Sequence, residues 1–503
     1  MDFFKKHKFE FIFGIGIIII YLFTRLYNIL ELPIFTDEAI YVRWSQIAKN
    51  DANWRFISLT DGKQPMLVWL TMISMRFIED PLLAGRLVSV IAGFFTLIGL
   101  FLLGRETFKN NWIGVLCSFL YVVYPMAMVY DRMALYDGLV GAFAVWSLYF
   151  AVLLIRRLRL DIALILGMII GGGVLTKSSG FFSIYLLPTT LLLFDFAHKD
   201  RFKQVTKWFG LALISTILAY LFYSVLRLSP FFHIIAEKNT IFVYPFKEWI
   251  EHPFDFFVGN WKAFWDWLIK YMTWPVLLLV AASFFVAKNY LREKLLLFIS
   301  FLVPIISLAV FGKTLYPRFI FFMTLSLLPL VAFSLFYIYL FIKNRLLLLS
   351  LSLVFFALVF RTDYLILNNF SQAPIPDSDL NQYINDWPSG KGVKESVEFF
   401  RDEAKKGKIY IATQGTFGLL PYALEIYLID NPNVKIEGIW PIGDNVPAKI
   451  IEISKKMPTF FVFYQPCNTC NRIGFAPESW NLTKLDIQYQ KNGGRYFSVY
   501  RLQ

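Results

Sequence analysis

Apolar segments of about 20 residues recur along the first ~370 positions and are separated by short polar loops. A helix of this length crosses the hydrocarbon layer of a membrane. The pattern predicts about eleven spans, at residues 9–30, 83–104, 112–129, 138–155, 161–176, 180–196, 208–228, 272–287, 295–311, 319–342 and 346–367. Residues 65–77 are apolar but too short to span, which favours a helix lying in the outer interface.

The loops between these segments alternate in charge. Those on one side, including Lys5, Lys6 and Lys8 before the first span, carry 17 basic residues against six acidic ones. Basic residues mark cytoplasmic loops, so this side and the N-terminus are predicted to be cytoplasmic. The odd number of spans then places everything after residue 368 outside the cytoplasm.

The composition changes beyond residue 368. Residues 371–390 are rich in Pro, Asp and Asn and read as a linker. Helix and strand patterns then alternate and end in a hairpin at residues 483–489 and 495–502, which predicts a small α/β domain with a largely parallel sheet. We therefore predict three parts: a membrane domain at residues 1–368, a linker at 369–390 and an extracytoplasmic α/β domain at 391–503.

Composition excludes several classes of protein. The chain has 57% hydrophobic and 19% aromatic residues, far too many for a soluble globular protein, so membrane lipids are its surroundings. Its net charge of +13 would suit nucleic acid, but the excess lies in short loops and topology explains it; no nucleic-acid partner is expected. Cys467 and Cys470 form a lone C-x-x-C, which in an oxidising compartment favours a short disulfide.

An acidic pair, Asp37 and Glu38, lies about ten residues after the first apolar core, in the first outer loop. One interpretation is structural: Thr36 caps a helix and the two acids favour its first turn. The other is functional, since carboxylates at a membrane interface are costly to desolvate and suit chemistry on a lipid-linked substrate.

Basic residues in the other outer loops run against the charge bias and favour an anionic partner such as a lipid phosphate. They are Lys63, Arg132, Lys177 and Arg318. Headgroup anchoring, snorkelling, or an ion pair of Arg132 with Asp131 or Asp137 are the alternatives. Asp137 is a second acid that could orient a substrate or hold a metal.

Taken in order, several short motifs resemble those of the GT-C glycosyltransferases, and most closely their protein O-mannosyltransferase and lipid A aminoarabinose transferase-like branch. The matching positions are Asp37-Glu38, Gly62-Lys63-Gln64-Pro65-Met66-Leu67, Arg86, Asp137, Leu175-Thr176-Lys177-Ser178 and Pro317-Arg318-Phe319. Gln64 replaces the first proline of a Lys-Pro-Pro-Leu stretch, and Ser178 takes the glycine position of a Leu-Thr-Lys-Gly signature.

The resemblance implies transfer of one sugar from an undecaprenyl or dolichyl phosphate donor to an acceptor hydroxyl outside the cytoplasm, with inversion at the anomeric carbon. Asp37 would be the general base, assisted by Glu38 and Asp137. The donor phosphate would be bound by Lys63, Arg132, Lys177 and Arg318. Tyr136, Tyr316 and Arg86 would contact substrate.

The acceptor is left open as a protein, a lipid or a glycan. No nucleotide or other cofactor is implied, and a divalent metal is possible but not expected, so no metal ligands are assigned. The alternative function is a transporter or flippase of lipid-linked sugars. That alternative predicts charges buried in mid-span, whereas the predicted spans are nearly free of ionisable residues.

Overall fold

The structure is a computed structural model that describes residues 8–197, 199–470, 472–480, 482–491 and 493–502; Lys5 and Lys6 lie outside them. It separates into two compact units. The first comprises Met1–Tyr27, Arg55–Leu67 and Leu87–Pro376. The second comprises Asn28–Trp54, Val68–Arg86 and Asp377–Gln503. The chain therefore passes from one unit to the other several times before residue 377.

Helices account for most of the chain before residue 370. In chain order they are α1 (Lys8–Leu26), α2 (Thr36–Asn50), α3 (Met66–Ser74), α4 (Pro81–Phe108), α5 (Asn111–Val122), α6 (Pro125–Tyr130), α7 (Tyr136–Arg157), α8 (Leu160–Thr176), α9 (Ser178–Leu193), α10 (Arg201–Leu228), α11 (Ile234–Phe242), α12 (Phe246–Glu251), α13 (Phe257–Met272), α14 (Trp274–Val286), α15 (Leu291–Phe311), α16 (Pro317–Phe341) and α17 (Arg345–Asn368). Helices α9, α10 and α16 include 3-10 turns, and two short 3-10 turns, Ala52–Trp54 and Ile57–Asp61, follow α2.

Among the described residues, six helices are long and apolar enough to cross a membrane: α4, α7, α10, α15, α16 and α17. Helices α13 and α14 together add a seventh, although they meet at a bend of 98°. Four shorter apolar helices, α1, α5, α8 and α9, occupy the remaining predicted spans. The predicted α-helical membrane class is confirmed, while the number of helices that cross stays a prediction.

Close helix packing positions the end of α8 in the first unit. A Cβ atom at Gly171 would lie 2.8 Å from the Phe222 ring of α10, and one at Gly172 would lie 2.4 Å from Phe143 of α7. Only glycine lets these helices approach so closely. The helix ends at Thr176, and the turn that follows folds back so that Gly180 lies against the backbone of Gly173. Lys177, at this turn, is thereby held at a fixed place.

The second unit contains a five-stranded sheet of β1 (Ile409–Gln414), β2 (Val434–Ile439), β3 (Thr459–Phe463), β4 (Thr483–Gln490) and β5 (Tyr496–Leu502). The strand order is β2-β1-β3-β5-β4. Strand β1 pairs in parallel with β2 and β3, whereas β5 pairs antiparallel with β3 and β4. The predicted α/β domain and its terminal hairpin are confirmed, but the prediction of a largely parallel sheet is wrong, because the terminal hairpin makes the sheet mixed. Cys467 and Cys470 form the expected disulfide.

Four helices belong to this part of the second unit: α18 (Asp377–Leu380), α19 (Val393–Lys406), α20 (Tyr422–Leu428) and α21 (Ala448–Ser454). A 3-10 turn, Phe370–Gln372, precedes α18, a π-helical turn, Asn381–Asn385, follows it, and another 3-10 turn is Glu478–Trp480. The segment that the sequence predicts as a linker thus carries helical turns, and Tyr383 within it is fully buried.

Helix α2, which carries the acidic pair, packs against α20 within the second unit. The Arg43 guanidinium donates from Nε to Glu425 at 2.6 Å, and the Gln46 amide donates to the Ile426 carbonyl at 2.9 Å. Trp44 is buried beside Phe417, with ring centroids 6.2 Å apart. The acidic helix therefore shares a compact unit with the C-terminal sheet, from which it is distant in sequence.

Candidate active site

The acidic pair lies in the first turn of α2, where negative charge is favoured by the helix dipole. Glu38 accepts the Phe35 backbone N–H at 3.0 Å, so the glutamate caps the helix start. Thr36 is not the cap that the structural interpretation expected. It is the first helical residue, and its hydroxyl donates to the Pro388 carbonyl at 2.9 Å. Asp37 lies between these two fixed neighbours and is half-buried.

A buried ion pair between Glu38 and Arg86 stabilises this turn. Arg86 donates from Nε and Nη2 to the two carboxylate oxygens of Glu38 at 2.9 and 2.8 Å, and both side chains are 0% exposed. Its remaining N–H groups donate to carbonyls of the preceding loop, those of Ile29, Leu32 and Pro33. Arg86 therefore holds the loop that leads into α2. Through its bonds to Glu38 it also holds the residue that follows Asp37.

Tyr427 of α20 lies close behind the same pair. Burial raises the pKa of its phenol, the carboxylates of Asp80 and Glu38 act in the same direction, and Arg86 opposes them. The phenol is therefore neutral at physiological pH and adds no charge behind the ion pair.

Three basic side chains gather in the first unit around two aromatic rings. The rings of Phe242 and Phe319 are 5.8 Å apart. The Lys63 ammonium lies 4.9 Å from the Phe242 centroid, and the Lys177 ammonium lies 4.2 Å from that of Phe319. The Arg318 guanidinium is 5.8 Å from the Phe319 centroid. These five residues form what we call the cationic cluster, and cation–π contact stabilises each charge there.

One of the predicted substrate contacts, Tyr316, lies beside the cluster. Tyr316 packs its ring 5.7 Å from Phe319 and 5.1 Å from the Arg318 guanidinium. Tyr136 is the buried first residue of α7, immediately before Asp137.

Asp137 is paired with the cluster through Lys177, whose ammonium donates to it at 2.8 Å. The carboxylate is 7% exposed and the lysine 27% exposed, so the positive partner is the accessible one. This corrects one alternative for Arg132, since neither nearby aspartate forms its ion pair with that arginine. Asp131 accepts from Arg25 and Tyr121, and Arg132 donates to the Tyr27 carbonyl at 2.6 Å.

The loops that carry Lys63 and Lys177 are joined by their neighbouring residues. The Gln64 amide donates to the Ser178 hydroxyl at 2.9 Å, and that hydroxyl donates to the Asn239 side chain at 3.3 Å. Gln64 and Ser178 are the two positions at which the chain departs from the motif patterns described above. The two departures are therefore hydrogen-bonded partners.

Comparisons with known proteins find similar sequences and folds. The family described as dolichyl-phosphate-mannose-protein mannosyltransferase matches residues 62–223, which include Lys63, Asp137 and Lys177. An undecaprenyl phosphate-alpha-4-amino-4-deoxy-L-arabinose arabinosyl transferase from Pseudomonas aeruginosa (strain UCBPP-PA14) is 24% identical over 196 residues. That match covers 37% of this chain and 35% of the relative, so the chain spans about a third of the curated relative that it matches.

Solved structures resemble the whole chain. ArnT from Cupriavidus metallidurans in the apo state superposes with a TM-score of 0.56 at 12% identity, covering 97% of both chains. The same protein bound to undecaprenyl phosphate gives 0.55 at 13% identity, covering 98% of both. The fold is that of a GT-C glycosyltransferase.

The archaeal oligosaccharyltransferase AglB from Archaeoglobus fulgidus, solved with an inhibitory peptide and a dolichol-phosphate, shares this GT-C fold with a TM-score of 0.52 at 14% identity. It is matched over 91% of this chain and 70% of its own. The predicted resemblance to GT-C membrane glycosyltransferases is confirmed, and the similarities indicate glycosyltransferase as the enzyme class. The chain is a multi-pass membrane protein.

The structure groups the predicted residues into two sets. Asp37, Glu38 and Arg86 belong to the second unit, and the remaining seven belong to the first. Sequence reasoning missed Phe242, the last residue of α11. It also missed Arg25 as the partner of Asp131. An arginine inside an otherwise apolar first segment was the signal available for the second of these.

Proposed function

We propose that the protein transfers one sugar from a polyprenyl-phosphate donor to an acceptor hydroxyl on the extracytoplasmic face of the membrane. The cationic cluster carries this proposal. Lys63, Lys177 and Arg318 come from three distant parts of the sequence and meet on one pair of rings. A leaving phosphate gains most from preorganised positive groups that need no rearrangement during the reaction.

Each side chain has one role in the proposed reaction. The acceptor oxygen attacks the anomeric carbon, the bond from that carbon to the phosphate oxygen breaks, and its electron pair leaves with the polyprenyl phosphate. Asp37 takes the acceptor proton as general base. A single displacement of this kind inverts the anomeric carbon. Lys177 meets the developing phosphate charge, and Asp137 keeps that lysine oriented.

Other predicted residues take supporting roles in this proposal. Glu38 and Arg86 are positioning residues, because their contacts hold the turn that carries Asp37. Tyr316 borders the donor phosphate beside Arg318. Arg132 ties the start of α7 to the end of α1 through Tyr27, near the predicted donor site.

The test is release of free polyprenyl phosphate from a panel of polyprenyl-phosphate sugars by the purified protein, with and without a chelator. Asp37→Asn removes the base with little change in shape. Turnover is expected to fall by about 10²–10⁴-fold while binding of the donor is retained.

Glu31→Gln, at an exposed carboxylate shortly before the turn, is the matched control and is expected to keep full turnover. Undiminished turnover in Asp37→Asn would remove Asp37 as the base. If no donor is turned over and proteoliposomes instead show flux of the sugar lipid, the transporter function replaces the transferase.

A further inference from the structure

A short segment of the second unit, residues 387–390, lies against the start of α2; residues 387 and 388 form a turn, and Ser389 is a single bridge residue. We call this segment the strap. The Gly390 N–H donates to the Ile34 carbonyl at 2.7 Å, and Ser389 forms an antiparallel bridge with Phe35. The Thr36 N–H donates to the Pro388 carbonyl at 3.1 Å. Two of the three residues that precede Asp37, Ile34 and Thr36, are therefore hydrogen-bonded to the strap through their backbones, and Phe35 is paired with Ser389 between them.

The strap satisfies a donor that a helix start normally leaves to water. The first N–H groups of a helix have no partner within the helix, and here the strap accepts the one from Thr36. The contact is close, because a Cβ atom at Gly390 would lie 2.4 Å from the Ile34 carbonyl oxygen. Any larger residue at position 390 would push the two segments apart.

Lys491, directly after β4, holds the strap from its other side. Its ammonium donates to the Ser389 carbonyl at 2.6 Å and to the Trp387 carbonyl at 3.0 Å, and the residue is 1% exposed. Burial lowers the pKa of Lys491 to about 7, against the opposing charge of Asp386, which Arg495 pairs at 3.4 Å. Burying an amine costs free energy unless the amine is hydrogen-bonded. The Lys491 ammonium donates to two alternate carbonyls of the strap.

We propose that the strap and Lys491 position Asp37 for catalysis. This inference rests on the function proposed above. Lys491 is a positioning residue: it fixes the strap, the strap fixes Thr36, and Asp37 is the next residue of the chain. Small displacements of a reacting group are sufficient to slow an enzyme strongly.

The experiment uses full-length protein in detergent and two variants that disturb the strap from opposite sides, Lys491→Met and Gly390→Ala. Amide hydrogen exchange of the peptide containing Thr36 is measured together with kcat and the donor KM. Both variants are expected to exchange faster at Thr36 and to lose kcat by about 10-fold or more, with donor KM within about 2-fold of the parent. Gly390→Ala disturbs the strap at a different residue, so the result does not depend on whether Lys491→Met folds.

Ile450→Ala is the matched control. Ile450 is fully buried in α21 against the sheet, so its truncation lowers stability without a direct contact to the strap. Unchanged exchange at Thr36 in both strap variants, or a loss of kcat no greater than that of Ile450→Ala at equal unfolding temperature, would overturn the inference. Exchange at Thr36 decides whether the strap holds α2 even if Asp37→Asn shows that Asp37 is not the base.

Discussion

Two carboxylate–cation pairs of this protein differ in almost every physical respect. The Glu38–Arg86 pair is bidentate, and both side chains are fully buried. The Asp137–Lys177 pair has one hydrogen bond, and its lysine remains 27% exposed while lying over the Phe319 ring. The first pair has its charges satisfied within the protein, whereas the second presents a cation that a ligand can reach.

The difference distinguishes a pair that stabilises the fold from a pair whose cation is accessible to a ligand. A bidentate guanidinium–carboxylate pair is geometrically specific, and breaking one side leaves an uncompensated buried charge. A partly exposed lysine with one carboxylate partner and an aromatic neighbour is available to contact a phosphate. We therefore infer that the Glu38–Arg86 pair shapes the acidic turn, and that the Asp137–Lys177 pair takes part in donor binding.

The largest expected effect comes from breaking the buried pair. Arg86→Ala removes the guanidinium that pairs with the buried Glu38 carboxylate. It is expected to lower the free energy of unfolding by about 3–5 kcal/mol. Thermal unfolding in detergent measures this. The control is Arg159→Ala, whose partner Asp161 is exposed and whose loss is expected to leave the unfolding temperature almost unchanged. Equal effects of the two substitutions would contradict the contrast drawn here.

An intermediate effect is expected from the cationic cluster. Lys177→Ala or Arg318→Ala removes a charged donor and is expected to weaken binding of polyprenyl phosphate by about 1.5–3 kcal/mol. Titration of the purified protein with the lipid measures this.

Lys313→Ala is the control for that titration, because Lys313 is in the loop before Arg318 and pairs with Glu248 at 2.7 Å. We expect its affinity to stay within about 2-fold of the parent, since an exposed pair contributes little. Wild-type affinity in both cluster variants would remove the cluster from donor binding.

The smallest expected effect concerns the link between the two lysine-bearing loops. Gln64→Leu breaks the hydrogen bond to Ser178, and Ser178→Ala breaks that bond together with the one to Asn239. Each substitution is expected to weaken donor binding by about 1 kcal/mol. Because both remove the same contact, the double variant is expected to lose little more than either single one. Fully additive losses in a double-mutant cycle would show that the link does not act on the site as a unit.

Periodic features of the chain were predictable from sequence. The eleven apolar segments coincide with helices or helix pairs, and the helices and strands after residue 391 occur in the predicted order. These features depend on hydrophobicity and spacing over a few turns, which neighbouring residues determine. The order of the motifs was enough to predict a GT-C fold. It also predicted Lys63, Lys177 and Arg318 as site residues from sequence alone.

Long-range pairing could be decided only by the tertiary structure. The acidic helix bonds to Glu425 across 382 positions, the strap comes from a segment that reads as a linker, and Lys491 has no local signal at all. Asp137 pairs with Lys177 rather than with the nearby Arg132, and the two motif departures, Gln64 and Ser178, prove to be partners. The physical reason is that the charge and shape of a side chain are properties of the residue itself. Its partner depends on which distant segments pack beside it, because buried polar groups must be hydrogen-bonded to one another.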